Sequence, residues 1–122
     1  MIKMIFCARR HPSLSREAFL DYWLNQHGPL FLKHAADYRA LRYVQSHTLA
    51  IPLNEAIRAS RGAAPEYDGV GEIWWASEED FRAAVSSEAV QKLRNMFVED
   101  EARFIDLASS SVFFTAEHVL LE

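Results

Sequence analysis

The chain has 122 residues, a length that predicts one domain spanning residues 1–122 with its own hydrophobic core. Half of the residues are hydrophobic and a quarter are charged, a globular composition that argues against intrinsic disorder. The 13 basic and 17 acidic residues are interspersed, so the net charge of -4 gives no support to binding of nucleic acid or of an anionic membrane surface.

The cysteine count and the hydropathy pattern narrow the class further. Cys7 is the single cysteine, which leaves no intramolecular disulfide and no multi-cysteine metal site. The apolar run at the N-terminus is too short for a signal peptide, and no segment approaches the roughly 20 apolar residues of a membrane span. We therefore expect a cytoplasmic protein that acts without a membrane partner.

The first two predicted elements are a strand and an amphipathic helix. Residues 2–9 form a short apolar run ahead of a loop that contains Pro12, which is typical of a strand. Ser15 is a good helix N-cap, and an apolar stripe that includes Phe19 and Trp23 follows at helical spacing.

A break is predicted where this helix reaches His27-Gly28-Pro29. Pro29 has no N–H to donate to Asn25, and its ring crowds that carbonyl, so the helix is expected to stop or kink at residues 27–28. A continuation through residues 30–36 can begin with Pro29 in its first turn. His27 then either satisfies backbone carbonyls freed by the break or faces a cavity.

The middle of the chain predicts a second strand and a long connection. Residues 42–48 alternate and are rich in β-formers, which places Tyr43 and His47 on one face. Residues 50–67 are irregular apart from a short helix that residues 53–61 could form. Such a long connection is either a lid or binding loop or a solvated excursion.

Residues 67–76 predict a third strand. Two glycines near its start indicate a bend or a closely packed neighbouring backbone. Glu72 and Trp74 point to one face, and Ile73 and Trp75 point to the other. Since both faces carry large side chains, both are expected to be covered.

The last part of the chain predicts a helix in two pieces and a final strand. Ser77 with Asp80 forms a capping signature, and Ser86-Ser87 separates the two pieces. The acidic run Glu99-Asp100-Glu101 is interpreted as a solvated face or turn. Residues 111–117 form the final strand.

This element order predicts an α+β fold of the ferredoxin-like β-α-β-β-α-β type, with helices on one face of an antiparallel sheet. The other face of the sheet still carries apolar residues, which calls for a partner. The simplest solution is a homodimer through the sheet faces, in which the two sheets form a dimeric α/β barrel.

The sequence resembles the EthD family over nearly its whole length. The resemblance is carried by Arg9-Arg10-His11-Pro12-Ser13-Leu14-Ser15, Tyr22-Trp23, His27-Gly28-Pro29, Tyr43-Val44-Gln45-Ser46-His47 and Gly71-Glu72-Ile73-Trp74-Trp75. It implies a ferredoxin-like subunit that dimerises through its sheets and holds a pocket between the sheet and the helices. The founding member is linked to degradation of an alkyl ether by a cytochrome P450 system.

Related methylmuconolactone methylisomerases act on small lactones without a cofactor. They carry a cysteine on the third strand, and the matching position here is Ile73, so that thiol is absent. Wider relatives include polyketide cyclases, decarboxylases and small monooxygenases. The chain also lacks a glycine-rich phosphate loop, a nucleophile elbow, a zinc signature and a dinucleotide fingerprint. These absences favour proton-transfer chemistry without a cofactor.

The candidate catalytic residues are His27 and His47, because imidazole gives and takes protons near neutral pH. The candidate substrate-binding residues are Tyr22, Tyr43, Tyr67, Trp75 and Glu72. The aromatic residues are predicted either to line a pocket or to fill the core and the dimer interface. Glu72 is either an acid–base group or the partner of a nearby arginine, Arg42 or Arg9. Two histidines and one carboxylate are not expected to form a metal site.

Three functions remain open from the sequence. The first is a cofactor-free isomerase, cyclase, dehydratase or decarboxylase that acts on a small hydrophobic, aromatic or lactone-like metabolite. The second is a non-catalytic metabolite-binding or accessory protein of an oxygenase or degradation pathway. The third is oxygenation without a cofactor.

Overall fold

Four antiparallel strands form one sheet in the computed structural model, which describes residues 1–122. The strands are β1 (Ile2–Ala8), β2 (Arg42–His47), β3 (Gly69–Trp75) and β4 (Ser111–Thr115). Their order in the sheet is β2-β3-β1-β4, and β1 pairs with both β3 and β4. This order confirms the predicted ferredoxin-like α+β fold.

The sheet is accompanied by five α-helices. They are α1 (Arg16–Tyr22), α2 (Gly28–His34), α3 (Pro52–Arg61), α4 (Glu78–Ser86) and α5 (Glu88–Phe104). A π-helical turn (Trp23–His27) joins α1 to α2, and a 3-10 turn (Leu107–Ser109) precedes β4. None of these helices is both long enough and apolar enough to span a membrane.

The predicted cap at Ser15 is present and directs α1 onto the sheet. The Ser15 hydroxyl accepts a hydrogen bond from the backbone N–H of Ala18 at 3.1 Å, which satisfies one of the free donors of the first turn. One turn further on, Phe19 is fully buried, and it packs with Trp23 and Phe104 in the core.

The helix does not stop at residues 27–28 but widens by one residue. The N–H of Gly28 donates to the carbonyl of Trp23, five residues earlier. The same carbonyl accepts a hydrogen bond from Nε2 of Gln45 on β2 at 2.9 Å. The π-helical turn therefore accommodates Pro29 without breaking the helix, and Gln45 supports it. The His27 side chain is left available for another partner.

The acidic run is not the solvated surface that the sequence predicted. Residues 99–101 belong to α5, which continues to Phe104. Glu99 is exposed, but Asp100 has only 2% of its surface exposed. The prediction was wrong because Asp100 and Glu101 follow Phe97 by three and four residues, a spacing that puts them on the same inward face of α5.

The connection between β2 and β3 contains α3, none of whose residues is buried. The end of this connection is held in place by Asp68, which directly precedes β3 and is 5% exposed. The carboxylate of Asp68 accepts hydrogen bonds from the backbone and side chain of Arg10 and from Nε of Arg16, each at 2.9 Å. Burial raises the pKa of Asp68, but these hydrogen bonds outweigh burial and leave the pKa below its ordinary value.

The two glycines at the start of β3 make room for the indole ring of Trp23. A Cβ atom built on Gly69 would overlap Cζ3 of Trp23 and lie 3.1 Å from the carbonyl oxygen of Ser46. A Cβ atom built on Gly71 would lie 3.2 Å from Cζ2 of the same ring. The close neighbour of these glycines is therefore mainly a buried side chain.

Gly69→Ala is expected to lower the free energy of unfolding by roughly 1–3 kcal/mol, because the new methyl group must displace a packed indole ring. Gly71→Ala is the matched control and is expected to cost less, since its methyl group is in tight contact without overlap. Urea denaturation of both variants measures the difference. Equal stability of Gly69→Ala and the wild-type protein would contradict this packing.

Candidate functional site

A cavity of about 400 Å³ lies between the sheet and the helices. Fifteen of its 18 lining residues are hydrophobic; the others are His27, Gly71 and Glu101. No lysine or arginine lines it. The volume falls within the range of small-molecule sites, and the composition suits an apolar ligand held by a few polar groups.

His27 lies in the wall of this cavity and is paired with a buried carboxylate. Its Nδ1 atom is 2.6 Å from Oδ2 of Asp100. The other carboxylate oxygen, Oδ1, accepts the hydroxyl hydrogen of Tyr22 at 2.5 Å and lies 3.7 Å from an Nη atom of Arg103. Asp100 therefore has a partner for each of its oxygens.

These hydrogen bonds define the orientation of the imidazole ring of His27. An ionised carboxylate only accepts hydrogen bonds, so the hydrogen between His27 and Asp100 belongs to Nδ1. Burial, followed by the hydrogen bond to Asp100, raises the pKa of Tyr22, which keeps Tyr22 a donor to the same carboxylate. In neutral imidazole Nε2 then carries the lone pair that can accept a proton.

Two aromatic rings of α5, one before and one after Asp100 in the sequence, pack against His27. The centroid of the imidazole is 5.1 Å from that of Phe104 and 6.3 Å from that of Phe97, which meets it edge-on. These contacts restrict the rotamers of the imidazole, so that packing as well as hydrogen bonding fixes the geometry.

Glu101 is the single carboxyl group that lines the cavity. No hydrogen bond or ion pair of its side chain with another residue is present. Burial raises its pKa, and the nearby negative charge of Asp100 raises it further. The two neighbouring acids thus differ in environment, because Asp100 is hydrogen-bonded and Glu101 faces an apolar space.

Two tyrosines, Tyr38 and Tyr43, also line the cavity. Burial raises the pKa of both Tyr38 and Tyr43, so both remain protonated donors at neutral pH. The Tyr43 hydroxyl accepts a hydrogen bond from Nε2 of Gln45 at 2.7 Å. Of the predicted substrate-binding residues, Tyr43 and Trp75 line the cavity.

The structure does not bring His47 to His27. The imidazole of His47 stacks on the indole ring of Trp23, with 5.2 Å between centroids, and its Nε2 is 2.8 Å from Oε1 of Gln45. It lines a separate, more open groove that also contains Leu24. Burial lowers the pKa of His47, which favours a neutral ring with a packing role.

Three other predicted site residues lie outside the cavity. Glu72 projects from the opposite face of the sheet, where its carboxylate is 2.6 Å from Nζ of Lys3 rather than paired with an arginine. The ring of Tyr67 packs under the guanidinium of Arg9 at 4.2 Å. Tyr22 does not line the cavity and donates a hydrogen bond to Asp100.

Asp100 and Glu101 are the site residues that the sequence analysis missed. The signal that identifies them is the spacing Phe97, Asp100, Glu101, Phe104, which follows one helix face when α5 is extended past Phe97. No group of three or more His, Cys, Asp or Glu side chains that could hold a metal ion is present.

The EthD domain family matches residues 11–108 of this chain. No curated protein sequence matches it. Among solved structures, it is similar to an ethyl tert-butyl ether D (EthD) family protein from Bacillus halodurans. That match has a TM-score of 0.64 and 15% sequence identity, and it covers 97% of this chain and 99% of the other.

Two further solved structures share the fold. The cofactor-independent oxygenase SnoaB from Streptomyces nogalater (mutant N63A) gives a TM-score of 0.53 at 13% identity, covering 99% of this chain and 97% of the other. A dimeric ferredoxin-like protein of unknown function from Thermobifida fusca gives 0.51 at 13% identity, covering 95% and 90%. At such low identity these likenesses show a common fold only and give no information about chemistry.

Proposed function

This chain belongs to the EthD family, and we propose that it transfers protons to and from an uncharged hydrophobic small molecule, without a cofactor. The observation that carries the proposal is the 2.6 Å contact between Nδ1 of His27 and Oδ2 of the buried Asp100, in the wall of a largely apolar cavity. This arrangement leaves Nε2 of His27 as a base on the ligand side.

The lining of the cavity supports an uncharged substrate. A carboxylate or phosphate that entered this space would lose its hydration and meet no lysine or arginine. Aromatic side chains such as Phe31, Trp75 and Phe97 offer flat apolar surfaces instead. Aromatic ketones, lactones and phenols fit these requirements, whereas carboxylic acids that must lose carbon dioxide do not.

The reaction begins with proton removal by His27. Nε2 takes a proton from a carbon beside a carbonyl group or from a phenolic oxygen, and the imidazole becomes positively charged. Asp100 stabilises that charge through the hydrogen bond to Nδ1, while Tyr22 holds the carboxylate in place. Return of the proton to a different atom gives isomerisation, and the same first step initiates cyclisation or dehydration.

A second candidate function is oxygenation without a cofactor. The similar fold of SnoaB, described as a cofactor-independent oxygenase, favours it. It needs the same first step, since removal of a phenolic proton gives an electron-rich anion that can react with oxygen. His27 and Asp100 would keep their roles, and consumption of oxygen would distinguish this reaction from isomerisation.

We also propose that the chain forms a homodimer through the sheet face that the helices leave open. Phe113, in β4, is 48% exposed on that face. Ile5 lies opposite it on the neighbouring strand β1, and Val44 lies on the same face at the far edge of the sheet, in β2. Apolar side chains on an open sheet face are typical of an interface. The Thermobifida fusca protein with this fold is described as dimeric, which supports the proposal.

The function is tested by incubating the protein in deuterium oxide with 2-tetralone, an uncharged bicyclic ketone that has acidic hydrogens beside its carbonyl. We expect mass spectrometry to show protein-dependent incorporation of deuterium into the ketone. A parallel sample with an uncharged naphthol, followed with an oxygen electrode, tests oxygenation. Tight binding of both compounds with neither exchange nor oxygen uptake would instead indicate a non-catalytic binding protein.

A further inference from the structure

We propose that Glu101 is a second catalytic residue, an uncharged carboxylic acid that donates a proton to the carbonyl oxygen of the bound molecule while His27 removes a proton from the adjacent carbon. This inference rests on the proposed function and adds the acid to the base. It also narrows the substrate class to carbonyl compounds with a hydrogen on the carbon beside the carbonyl group.

The geometry of α5 separates the tasks of its two adjacent acids. Consecutive residues of a helix point about 100° apart, so Asp100 and Glu101 point in different directions from the buried face of α5. Asp100 is directed to Tyr22 and His27, where its two oxygens are engaged. Glu101 is directed into the cavity and forms no side-chain hydrogen bond or ion pair with another residue.

No side chain with a permanent positive charge lines the cavity with Glu101. The titratable groups of the cavity are Glu101 itself, His27, Tyr38 and Tyr43, and none of them is a lysine or an arginine. Asp100, on the same helix, adds a negative charge, and together with burial this charge raises the pKa of Glu101. The nearest basic residue along α5, Arg103, is turned towards Asp100 and is largely exposed to solvent.

A protonated carboxyl group that lines the same cavity as a base allows both halves of an enolisation to occur together. The C–H bond breaks and its proton moves to Nε2 of His27, while the O–H bond of Glu101 breaks and its proton moves to the carbonyl oxygen. The ligand is then a neutral enol, His27 is an imidazolium and Glu101 is a carboxylate. Return of a proton from His27 to a carbon, and of the enol proton to Glu101, regenerates both groups.

This assignment accounts for two adjacent acids in a cavity that is otherwise largely apolar. Without an acid at the carbonyl oxygen, proton removal by His27 would leave an enolate anion in a largely apolar space whose single positive group is the imidazolium of His27. Proton donation by Glu101 keeps the ligand neutral and leaves the negative charge on the carboxylate of Glu101. The phenols of Tyr38 and Tyr43, which also line the cavity, are far weaker acids.

The test compares Glu101→Gln with Glu99→Gln, which makes the same change two residues earlier at an exposed position of α5. We expect Glu101→Gln to lower kcat for deuterium exchange into 2-tetralone by about 10²-fold, the smaller end of the usual range for a general acid. KM is expected to change little, because glutamine keeps the size of the side chain. Glu99→Gln is expected to leave both constants unchanged.

The pH profile supplies a readout that a merely structural role would not move. Because the uncharged form of Glu101 is the active form, wild-type activity is expected to fall as the pH rises through the elevated pKa of this group. Glutamine does not ionise, so the Glu101→Gln variant should lack this alkaline decline. An unchanged rate together with an unchanged decline in Glu101→Gln would overturn the proposal.

Infrared difference spectroscopy separates failure of this proposal from failure of the proposed function. At the pH of fastest exchange the wild-type protein is expected to show the carbonyl stretch of a protonated carboxylic acid, and Glu101→Gln is expected to lose it. If the wild-type protein does not exchange 2-tetralone, the proposed function is contradicted. The absence of the infrared band would refute an uncharged Glu101 whether or not exchange occurs.

Discussion

Replacing His27 by asparagine is expected to reduce kcat/KM for proton exchange by about 10²- to 10⁴-fold, the usual contribution of a positioned acid–base group. Asparagine keeps a polar side chain at this position but has no atom that takes up a proton near neutral pH. Binding of the ligand should persist, because the apolar lining is untouched. Deuterium incorporation and ligand titration of the same sample measure the two effects separately.

His34→Asn is the matched control for this experiment. His34 lies at the end of α2 and also meets the ring of Phe97 edge-on, with 6.2 Å between centroids, but it does not line the cavity. We expect this variant to retain wild-type exchange. An equal loss in both variants would indicate a general disturbance of the π-helical turn and α2, and it would contradict a catalytic role for His27.

Asp100→Asn is expected to reduce the same rate by at least about 10²-fold, although Asp100 does not itself line the cavity. The amide group can donate a hydrogen bond to Nδ1 of His27, which places the ring hydrogen on Nε2, where the base must have its lone pair. The variant also removes the negative charge that stabilises the imidazolium. Circular dichroism and the melting temperature show whether the fold survives.

Tyr22→Phe separates the positioning of Asp100 from both of these effects, its charge and its control of the tautomer. It removes the hydroxyl that donates to Oδ1 at 2.5 Å but leaves the carboxylate and its contact with His27. Its effect on the exchange rate is expected to be much smaller than that of Asp100→Asn. Greater damage from Tyr22→Phe than from Asp100→Asn would mean that position, and not charge or tautomer, governs the site.

Local signals in the sequence were sufficient to predict much of the fold. Ser15 and Ser77 begin helices as expected, because a hydroxyl beside a helical pattern satisfies free N–H groups of the first turn. The motif His27-Gly28-Pro29 marked the irregular turn between α1 and α2. Its form was not predicted, since the π-helical turn depends on Gln45 from a distant strand.

The partner of His27 could not be predicted from local pattern. Asp100 lies 73 positions away, within an acidic run whose composition is typical of a solvated surface. Only the full length of α5 shows that Asp100 and Glu101 share the buried face with Phe97 and Phe104. Long-range pairing of this kind depends on how the elements pack.

The placement of Glu72 and His47 depends on which layer covers each face of the sheet. Strand alternation correctly placed Glu72 and Trp75 on opposite faces, so the two cannot line one pocket. His47 shares its face of β2 with Tyr43, but the ring of Trp23 packs against it and fills that end. The sequence pattern indicates a face and does not specify the side chain that covers it.

The most direct test of the central claim is the tautomer of His27, which needs no substrate. Heteronuclear NMR of the nitrogen-labelled imidazole reports which ring nitrogen carries hydrogen when the ring is neutral. We expect hydrogen on Nδ1 in the wild-type protein and on Nε2 in Asp100→Asn. A wild-type ring that carries its hydrogen on Nε2 would have no free base facing the cavity, and it would contradict proton transfer by His27.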